Sequence, residues 1–298
     1  MEEGKLIRIR FKDAAMEEDF ERDGYVVIKN MAAKEDVKQM LALFNRHYKA
    51  PEEKVVAWNT AAMLGEEEKN HISVELMKTL SLALNTYIED YTPHFAYFLT
   101  KPAEKTATNI SMHRDASAVD EKQSEYLIFW MPLIDLNENN GCLYIMPGSN
   151  KLFLYELPFA VDWPYKHLLK DLEAYKVDLK LSAGDAVIFS GKTLHGSYPN
   201  ASDSPRPAVC CGLIDPVTQL LYYYYNRDNN TVETYEVGPD FFLHSDFSAP
   251  KGKYPLRSSF DYKPPVIQPK DIKSFYGKAG GLEKNGVNFF TRVKAMFA

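Results

Sequence analysis

The chain is poor in cysteine and has no excess of basic charge, and each shortage excludes a class of protein. Its three cysteines, Cys142, Cys210 and Cys211, form no CxxC pair. We therefore expect reduced, mostly buried thiols rather than a disulfide framework or a zinc ribbon. The formal net charge of -6 provides no general attraction to a phosphate backbone, which argues against nucleic acid as a partner.

Long hydrophobic runs are also missing. No apolar stretch approaches the ~18 residues expected of a membrane span, and the N-terminus lacks the apolar core of a secretory signal. We therefore expect a cytoplasmic protein without a membrane span. With 298 residues, of which 45% are hydrophobic, the chain can bury a sizeable core, and we predict a single domain over residues 1–298.

The first part of this domain, residues 14–92, is rich in helical signals and carries none of the candidate chemistry. Capping residues and apolar spacing predict a helix from Asp13 to Arg22 that Gly24 ends, a strand over Tyr25–Ile28, and helices over Lys34–His47 and residues 66–89.

The second part, residues 93–215, has the pattern of short strands separated by turn residues. The predicted strands are Phe95–Leu99, Thr106–Met112, Tyr126–Ile134, Gly141–Met146, Val177–Leu181, Ala186–Ser190 and Ala208–Ile214. Such a series favours a sandwich or barrel. We therefore predict a mainly β fold, with a double-stranded β-helix of jelly-roll or cupin-like type as the core that holds the site.

The third part, residues 216–298, is a C-terminal extension. Its Tyr-rich stretch, residues 221–265, either extends the sheet or covers the pocket, and the pattern does not distinguish these two arrangements. Apolar residues at helical intervals predict a short amphipathic helix over Gly281–Ala298. The predicted fold is thus a β core flanked by N-terminal α-helices and a short C-terminal helix.

Two histidines and one aspartate are the candidate metal ligands. On a strand, His113 and Asp115 would point to the same side while Arg114 points away. His195 would join them from a loop edge that follows the predicted strand Ala186–Ser190. Two imidazoles and one carboxylate are the ligand set of non-haem Fe(II) oxygenases, which leaves positions open for substrates.

Arg206 follows the last of these ligands and suggests that a carboxylic acid occupies one open position. The turn residues between His195 and Arg206 predict a hairpin that places the arginine on the adjacent strand, pointing inward. A guanidinium binds a carboxylate through two parallel hydrogen bonds, which lysine cannot do. Ser197 would lie on the same side as His195 and could donate to the same carboxylate. The four residues together indicate Fe(II) and 2-oxoglutarate.

Two other interpretations stay open at this point. Two nitrogens and a carboxylate also suit catalytic zinc, so a zinc-dependent hydrolase is one alternative and a non-catalytic cupin-like binding module is another. Arg206 favours iron, because a hydrolase has no need of an oxoacid clamp. A second HxD motif, His244 and Asp246, has no later histidine to complete a triad, and we interpret it as a surface loop.

These residues resemble the phytanoyl-CoA dioxygenase family of Fe(II)/2-oxoglutarate oxygenases over roughly residues 14–215. The resemblance rests on His113-x-Asp115, Trp130–Leu136, Asn140–Leu143, Pro147–Ser149, Gly184, Asp185, Phe189, His195, Ser197, Asn200 and Arg206, and on the N-terminal run Phe20–Asn30. Asn150 departs from the pattern, since the family usually has His after Pro-Gly-Ser.

The resemblance implies a role for each site residue. His113, Asp115 and His195 would bind iron, and Arg206 with Ser197 would bind 2-oxoglutarate. Trp130 occupies a position that often lines the co-substrate pocket in the family. Asn109 and Ser111 precede His113 on its side of the strand and would reach the nearer carboxylate of 2-oxoglutarate.

The resemblance also implies the reaction. The expected enzyme consumes O2 and 2-oxoglutarate, hydroxylates an unactivated C–H bond of a small or amphiphilic organic substrate, and releases succinate and CO2. The carboxylate at Asp115 favours hydroxylation over halogenation. Desaturation, cyclisation and epimerisation stay open as outcomes, and nothing in the sequence indicates the oligomeric state.

Overall fold

The computed structural model describes residues 7–103, 108–250 and 252–278. The predicted C-terminal helix over Gly281–Ala298 and the first residues of the predicted strand Thr106–Met112 lie outside these ranges. Within the described ranges, no helix combines the length and the apolar character needed to cross a membrane.

The N-terminal part follows the predicted order of helices and strands. Its elements are β1 (Arg10–Phe11), α1 (Ala14–Asp23), β2 (Tyr25–Ile28), α2 (Lys34–His47), β3 (Trp58–Asn59), α3 (Thr60–Met63), α4 (Glu66–Tyr87) and β4 (Ile88–Glu89). The carboxylate of Asp13 accepts a hydrogen bond from the N–H of Met16, and Gly24 ends α1 with a φ of 76°. A Cβ at Gly24 would also lie 2.5 Å from Oδ1 of Asn150. Both boundaries of α1 therefore follow from local chemistry.

The core that follows is built of short strands, as predicted. They are β5 (Thr92–Lys101), β6 (Ile110–His113), β7 (Leu127–Pro132), β8 (Leu143–Ile145), β9 (Val177–Leu179), β10 (Ala186–Ser190), β11 (His195–Ser197) and β12 (Arg206–Ile214). The long connection from β8 to β9 contains the short helix α5 (Leu169–Leu172) and single 3-10 turns at Ser149–Lys151, Lys166–Leu168 and Glu173–Tyr175.

Two antiparallel sheets enclose the core. The larger sheet has the strand order β2-β10-β7-β12-β5-β3 and the smaller sheet has the order β6-β11-β8-β9. Neighbouring strands are mostly distant in sequence, which is the topology of a double-stranded β-helix. The predicted fold class, mainly β with a jelly-roll core and N-terminal helices, is confirmed.

Strand β12 shows how one strand serves two hydrophobic layers. Ala208 and Cys210 face the other sheet and pack with residues such as Trp130. Their neighbours Val209 and Cys211 point to the opposite side and pack against the helices. This alternation follows from the two-residue period of a strand. All three cysteines are buried and unpaired, as predicted.

Two expectations about the strands around the site are wrong. His195 does not lie at a loop edge but begins the separate strand β11. Arg206 is not on a strand adjacent to His195, because β11 belongs to the smaller sheet and β12 to the larger one. The turn between them crosses from one sheet to the other, and the buried side-chain amide of Asn200 fixes this crossing by donating to the carbonyls of Lys101, Pro102 and Ser204.

The Tyr-rich stretch forms a sheet of its own. Its elements are β13 (Leu221–Asn226), β14 (Thr231–Glu236), α6 (Phe241–His244) and β15 (Leu256–Asp261), with β13, β14 and β15 hydrogen-bonded in that order. The helix α7 (Pro269–Lys278) follows this stretch. His244 lies at the end of α6, with its Nδ1 3.0 Å from a carboxylate oxygen of Glu66, and Asp246 is exposed just beyond it. The division of the domain into residues 14–92, 93–215 and 216–298 stays a prediction.

Candidate metal centre

His113, Asp115 and His195 converge at one end of the smaller sheet. One ligand atom from each of them lies within 4.8 Å of the other two. His113 ends β6 and His195 begins β11, and the two are direct partners in the antiparallel register. The Nε2 atoms of both histidines are 3.9 Å from oxygens of Asp115. The arrangement brings two nitrogens and a carboxylate to a point where a single cation could bind all three.

Each histidine is oriented by a backbone carbonyl two residues before it. The Nδ1 of His113 lies 2.9 Å from the carbonyl of Ser111, and the Nδ1 of His195 lies 3.0 Å from the carbonyl of Thr193. A carbonyl only accepts, so Nδ1 carries the hydrogen and Nε2 keeps its lone pair for the centre. This is the usual way in which a protein fixes the tautomer of a metal-binding imidazole.

Burial keeps His195 in the form that binds metals. It lowers the pKa of His195 to about 4, against the opposing effect of the nearby Asp115 carboxylate. The imidazole is therefore neutral near pH 7, as metal ligation requires.

Asp115 follows the end of β6, and its backbone N–H donates to the carbonyl of Gly191, 3.0 Å away, in the turn that leads to β11. The intervening Arg114 is buried and points elsewhere. It donates to the carbonyls of Phe153 and Tyr155 and forms an ion pair with Glu121. Arg114 therefore anchors the β8–β9 connection while its two neighbours face the centre.

Arg206 is a buried cation whose ion-pair partner is missing among the described residues. Its Nε and Nη1 atoms are buried and donate to no hydrogen-bond acceptor within residues 7–103, 108–250 and 252–278. The guanidinium lies over the ring of Trp130, with Cζ 5.2 Å from the ring centroid. Burial lowers the pKa of Arg206 to about 10, so it stays charged near pH 7. Burying a charge without a partner raises the free energy of the folded protein, and a bound anion would compensate the charge of Arg206.

The remaining predicted site residues lie in two different environments. Ser197 is buried on β11, two residues after His195, and its carbonyl accepts a hydrogen bond from Nζ of Lys101 at 3.3 Å. Asn109 and Ser111 are exposed, and the side-chain amide of Asn109 lies 3.3 Å from the Ser111 hydroxyl. The sequence indicated only a contact of Ser111 with 2-oxoglutarate and gave no signal for its carbonyl, which orients His113.

A cavity of about 460 Å³ opens beside His113. One wall is the end of β6 and the other comes from the β8–β9 connection; the lining residues are Ser111, Met112, His113, Arg114, Ala116, Leu157, Pro158, Phe159, Ala160, Val161, Asp162, Trp163, Lys166 and Leu169. Most of these side chains are apolar. Phe159 in turn stacks on Phe247, with ring centroids 4.9 Å apart, and contacts Phe242. The Tyr-rich part of the chain therefore supports the cavity wall from behind.

A buried polar pair near Asp115 was not found from the sequence. Nε2 of His94 lies 2.9 Å from the hydroxyl of Tyr126, and burial lowers the pKa of His94 to about 3, so it is neutral. Burial and the Asp115 carboxylate both raise the pKa of Tyr126. A Cβ at Gly212 would collide with both the Tyr126 hydroxyl and the His94 ring, so glycine is required there. His94 and Tyr126 are 32 residues apart in the sequence, and no motif around either residue indicates that they form a pair.

The chain matches the profile of a known protein family. The profile of the family described as Phytanoyl-CoA dioxygenase (PhyH) matches residues 20–208. The peroxisomal phytanoyl-CoA dioxygenase of Rattus norvegicus is 25% identical over 221 residues, which cover 64% of this chain and 65% of that protein. The ectoine dioxygenase of Bordetella bronchiseptica is 24% identical over 259 residues, covering 74% of this chain and 77% of that protein.

Among solved structures, the non-heme alpha-ketoglutarate-dependent epimerase SnoN from nogalamycin biosynthesis is similar in fold. The match has a TM-score of 0.51 at 20% identity and covers 70% of this chain and 84% of that one. At this identity the likeness concerns the fold, and it agrees with the two-sheet core described above.

Proposed function

Because the chain belongs to the phytanoyl-CoA dioxygenase family, we propose that it is a non-haem dioxygenase dependent on Fe(II) and 2-oxoglutarate. It hydroxylates an unactivated C–H bond of a small or amphiphilic organic substrate and releases succinate and CO2. The observation that carries the proposal is the convergence of the His113, Asp115 and His195 ligand atoms, together with a buried Arg206 that has no ion-pair partner among the residues that the structure describes.

The donor set of the centre fits Fe(II). Two neutral imidazole nitrogens and one carboxylate oxygen are the protein ligands of non-haem Fe(II) oxygenases. The carbonyls of Ser111 and Thr193 hold the two imidazoles with Nε2 free. When bound, iron and the oxoacid supply the oxidising chemistry, and the protein supplies ligands, orientation and a site shielded from water.

Arg206 fits the far carboxylate of 2-oxoglutarate. Its buried guanidinium has two nitrogens without a partner in the described ranges, and a guanidinium pairs with a carboxylate through two parallel hydrogen bonds. Trp130 provides the flat surface on which this group rests. We assign the Ser197 hydroxyl as a second contact, since Ser197 is buried on the strand that begins with His195. Contacts of Asn109 and Ser111 with the nearer carboxylate stay predictions.

The cavity beside His113 is the proposed substrate site. Its walls are mainly apolar, and Lys166 and Asp162 at its border form an ion pair with a distance of 3.0 Å. An apolar enclosure with charged groups at the border suits a small molecule that has both an apolar and a polar part. Its position next to a ligand histidine would bring a substrate C–H bond close to the metal.

The decisive experiment adds Fe(II) and 2-oxoglutarate to the protein without oxygen and records the visible spectrum. A charge-transfer band is expected when the oxoacid chelates the iron, and admission of oxygen should then release succinate. A zinc hydrolase would purify with zinc and ignore oxygen, and a non-catalytic binding module would develop no band; either result would refute the proposal. A substrate screen scored by succinate release would then identify the compound class.

A further inference from the structure

Lys101 is a lysine without solvent exposure, which is unusual for this residue type. It is the last residue of β5, and its side chain is fully buried. Its aliphatic part fills the space beside Gly141, where a Cβ would lie 2.6 Å from Cδ of Lys101. Since Gly141 also has a φ of 83°, the backbone there is shaped to admit this side chain.

The ammonium group of Lys101 joins the two sheets. It donates to the carbonyl of Thr108 and to the carbonyl of Ser197, the latter at 3.3 Å. Lys101 belongs to the larger sheet and Ser197 to the smaller one. The second hydrogen bond therefore holds β11, the strand that begins with His195, against the strand pair β5–β12.

Lys101 is also the direct neighbour of Arg206. The two residues are register partners in the antiparallel pair β5–β12, so their side chains point to the same side. Across the described residues, neither side chain forms an ion pair with a carboxylate. Two basic side chains are thus buried side by side, close to the strand β11 that begins with His195, and an anionic ligand would offset the repulsion between their charges.

We propose that Lys101 is a positioning and specificity residue for the co-substrate, whose charge, together with that of Arg206, makes the site select an oxoacid with a second carboxylate. This inference rests on the proposed function. Arg206 contacts the far carboxylate, while Lys101 adds positive charge behind it and holds the Ser197 backbone in place. The chemistry it favours is a 2-oxodicarboxylate over a 2-oxomonocarboxylate.

The test compares two oxoacids that chelate iron in the same way. One is 2-oxoglutarate, and the other is 2-oxopentanoate, which has a methyl group in place of the far carboxylate. Their dissociation constants are measured without oxygen from the charge-transfer band of the iron-loaded protein. In Lys101→Met the preference for 2-oxoglutarate should fall about tenfold, because a nearby charge is lost. The affinity for 2-oxopentanoate should change little.

Lys180→Met is the matched control. Lys180 is exposed just beyond β9, and its charge acts, like that of Arg206, on the thiol of Cys142. The same substitution at this surface position should leave the preference between the two oxoacids unchanged. An equal loss in both variants would mean that the general charge of this end of the protein, and not Lys101, sets the preference.

A second measurement needs no variant and therefore does not depend on its folding. Burial, and then the charge of Arg206, lower the pKa of Lys101 to about 7. Arg206 is the charged group that faces Lys101 from β12, and the contacts from β11, Thr108 and Gly141 are uncharged. The wild-type preference for 2-oxoglutarate should fall as pH rises from about 6 to about 9, since Lys101 then loses its proton. A change in the protonation of the metal ligands should change the affinity for both oxoacids by the same factor, so it leaves the ratio of the two dissociation constants unchanged.

The outcomes separate the two proposals. If the wild-type protein gives no charge-transfer band with either oxoacid, the proposed function is wrong. If it prefers 2-oxoglutarate but Lys101→Met keeps this preference, or the wild-type preference does not vary with pH, the role of Lys101 is wrong while the function stands. An equal loss of affinity for both oxoacids in Lys101→Met would reduce Lys101 to a structural residue.

Discussion

The two sheets of the core contribute different chemistry to the candidate site. The smaller sheet carries two potential metal ligands on neighbouring strands, where His113 and His195 are register partners. The larger sheet carries two buried cations on neighbouring strands, where Lys101 and Arg206 are register partners. On the proposed function, one cross-strand pair binds a cation and the other binds an anion. This division suggests that metal affinity and oxoacid affinity can be altered separately.

The largest effect is expected from the ligands on the metal side. Replacing His113, Asp115 or His195 by alanine should lower Fe(II) affinity by at least about 100-fold, and succinate release should be lost. Metal titration followed by a succinate assay measures both. His244→Ala is the matched control, because His244 belongs to the other HxD motif and contacts Glu66 instead. Retention of turnover in any of the three ligand variants would contradict the assignment.

On the anion side, Arg206→Met should weaken 2-oxoglutarate binding about 100-fold while Fe(II) affinity stays unchanged. Arg206→Lys should restore only part of the loss, since an ammonium cannot form two parallel hydrogen bonds. Separate calorimetric titrations of each protein with Fe(II) and with 2-oxoglutarate measure the two affinities. Equal losses of metal and oxoacid affinity in Arg206→Met would show that the two sheets do not act independently.

A smaller effect is expected from Gly196 on β11, where this strand approaches β6. A Cβ at Gly196 would lie 2.7 Å from the carbonyl of Ile110 on β6 and would also collide with the Tyr144 hydroxyl. Gly196→Ala should therefore push β6 and β11 apart, lower Fe(II) affinity about tenfold and reduce the free energy of unfolding by about 1–3 kcal/mol. Gly238→Ala, where a Cβ meets nothing within 4 Å, is the control. Unfolding in urea and metal titration should find Gly238→Ala unchanged.

The smallest effect on metal and oxoacid binding is expected from His94 on the larger sheet, which should alter the stability of the fold and not the affinities. Burial lowers the pKa of His94 to about 3, from about 6.5 in an unfolded chain. The unfolded chain therefore binds a proton more readily, so the stability that depends on neutral His94 is complete above about pH 6.5 and is lost as pH falls toward 3. At about pH 5 this loss amounts to about 2 kcal/mol.

The prediction for His94 is checked by urea unfolding of the metal-free protein at neutral pH and near pH 5. Between neutral pH and about pH 5, the free energy of unfolding should fall by about 2 kcal/mol less in His94→Leu than in the wild type. The hydrogen bond to Tyr126 is absent from the variant at both pH values and so does not affect the difference. An identical pH dependence in the two proteins would mean that His94 is not neutral in the fold.

The parts of the molecule that sequence reasoning predicted well depend on local signals. Asp13 and Gly24 mark the ends of α1, and both act through backbone geometry close in sequence. Asp115 lies just beyond the end of β6, yet it and His113 converge while the buried Arg114 between them points away, as the alternation of a strand predicts. Such features need no knowledge of which strands become neighbours.

The features that were missed depend on long-range pairing. His-Gly-Ser at residues 195–197 has little strand character of its own, and it becomes β11 because β6 and β8 lie on either side of it. The position of Arg206 in the opposite sheet follows from a crossing that Asn200 stabilises. The burial of Lys101 has no signal in the sequence, since lysines are mostly exposed and the space for its side chain depends on Gly141 from a distant turn.

The contact between Phe159 and the aromatic rings of Phe242 and Phe247 has a consequence for redesign. Phe159 lines the cavity beside His113, whereas Phe242 and Phe247 lie after residue 208, where the family match ends. A chimaera that exchanges only the residues after 208, which include Phe242 and Phe247, would change the packing against Phe159 and so the shape of the cavity. His113, Asp115, His195, Lys101 and Arg206 would all be unchanged in such a chimaera. On the proposed function, the shape of the substrate cavity could thus be altered through residues that bind neither the metal nor the oxoacid.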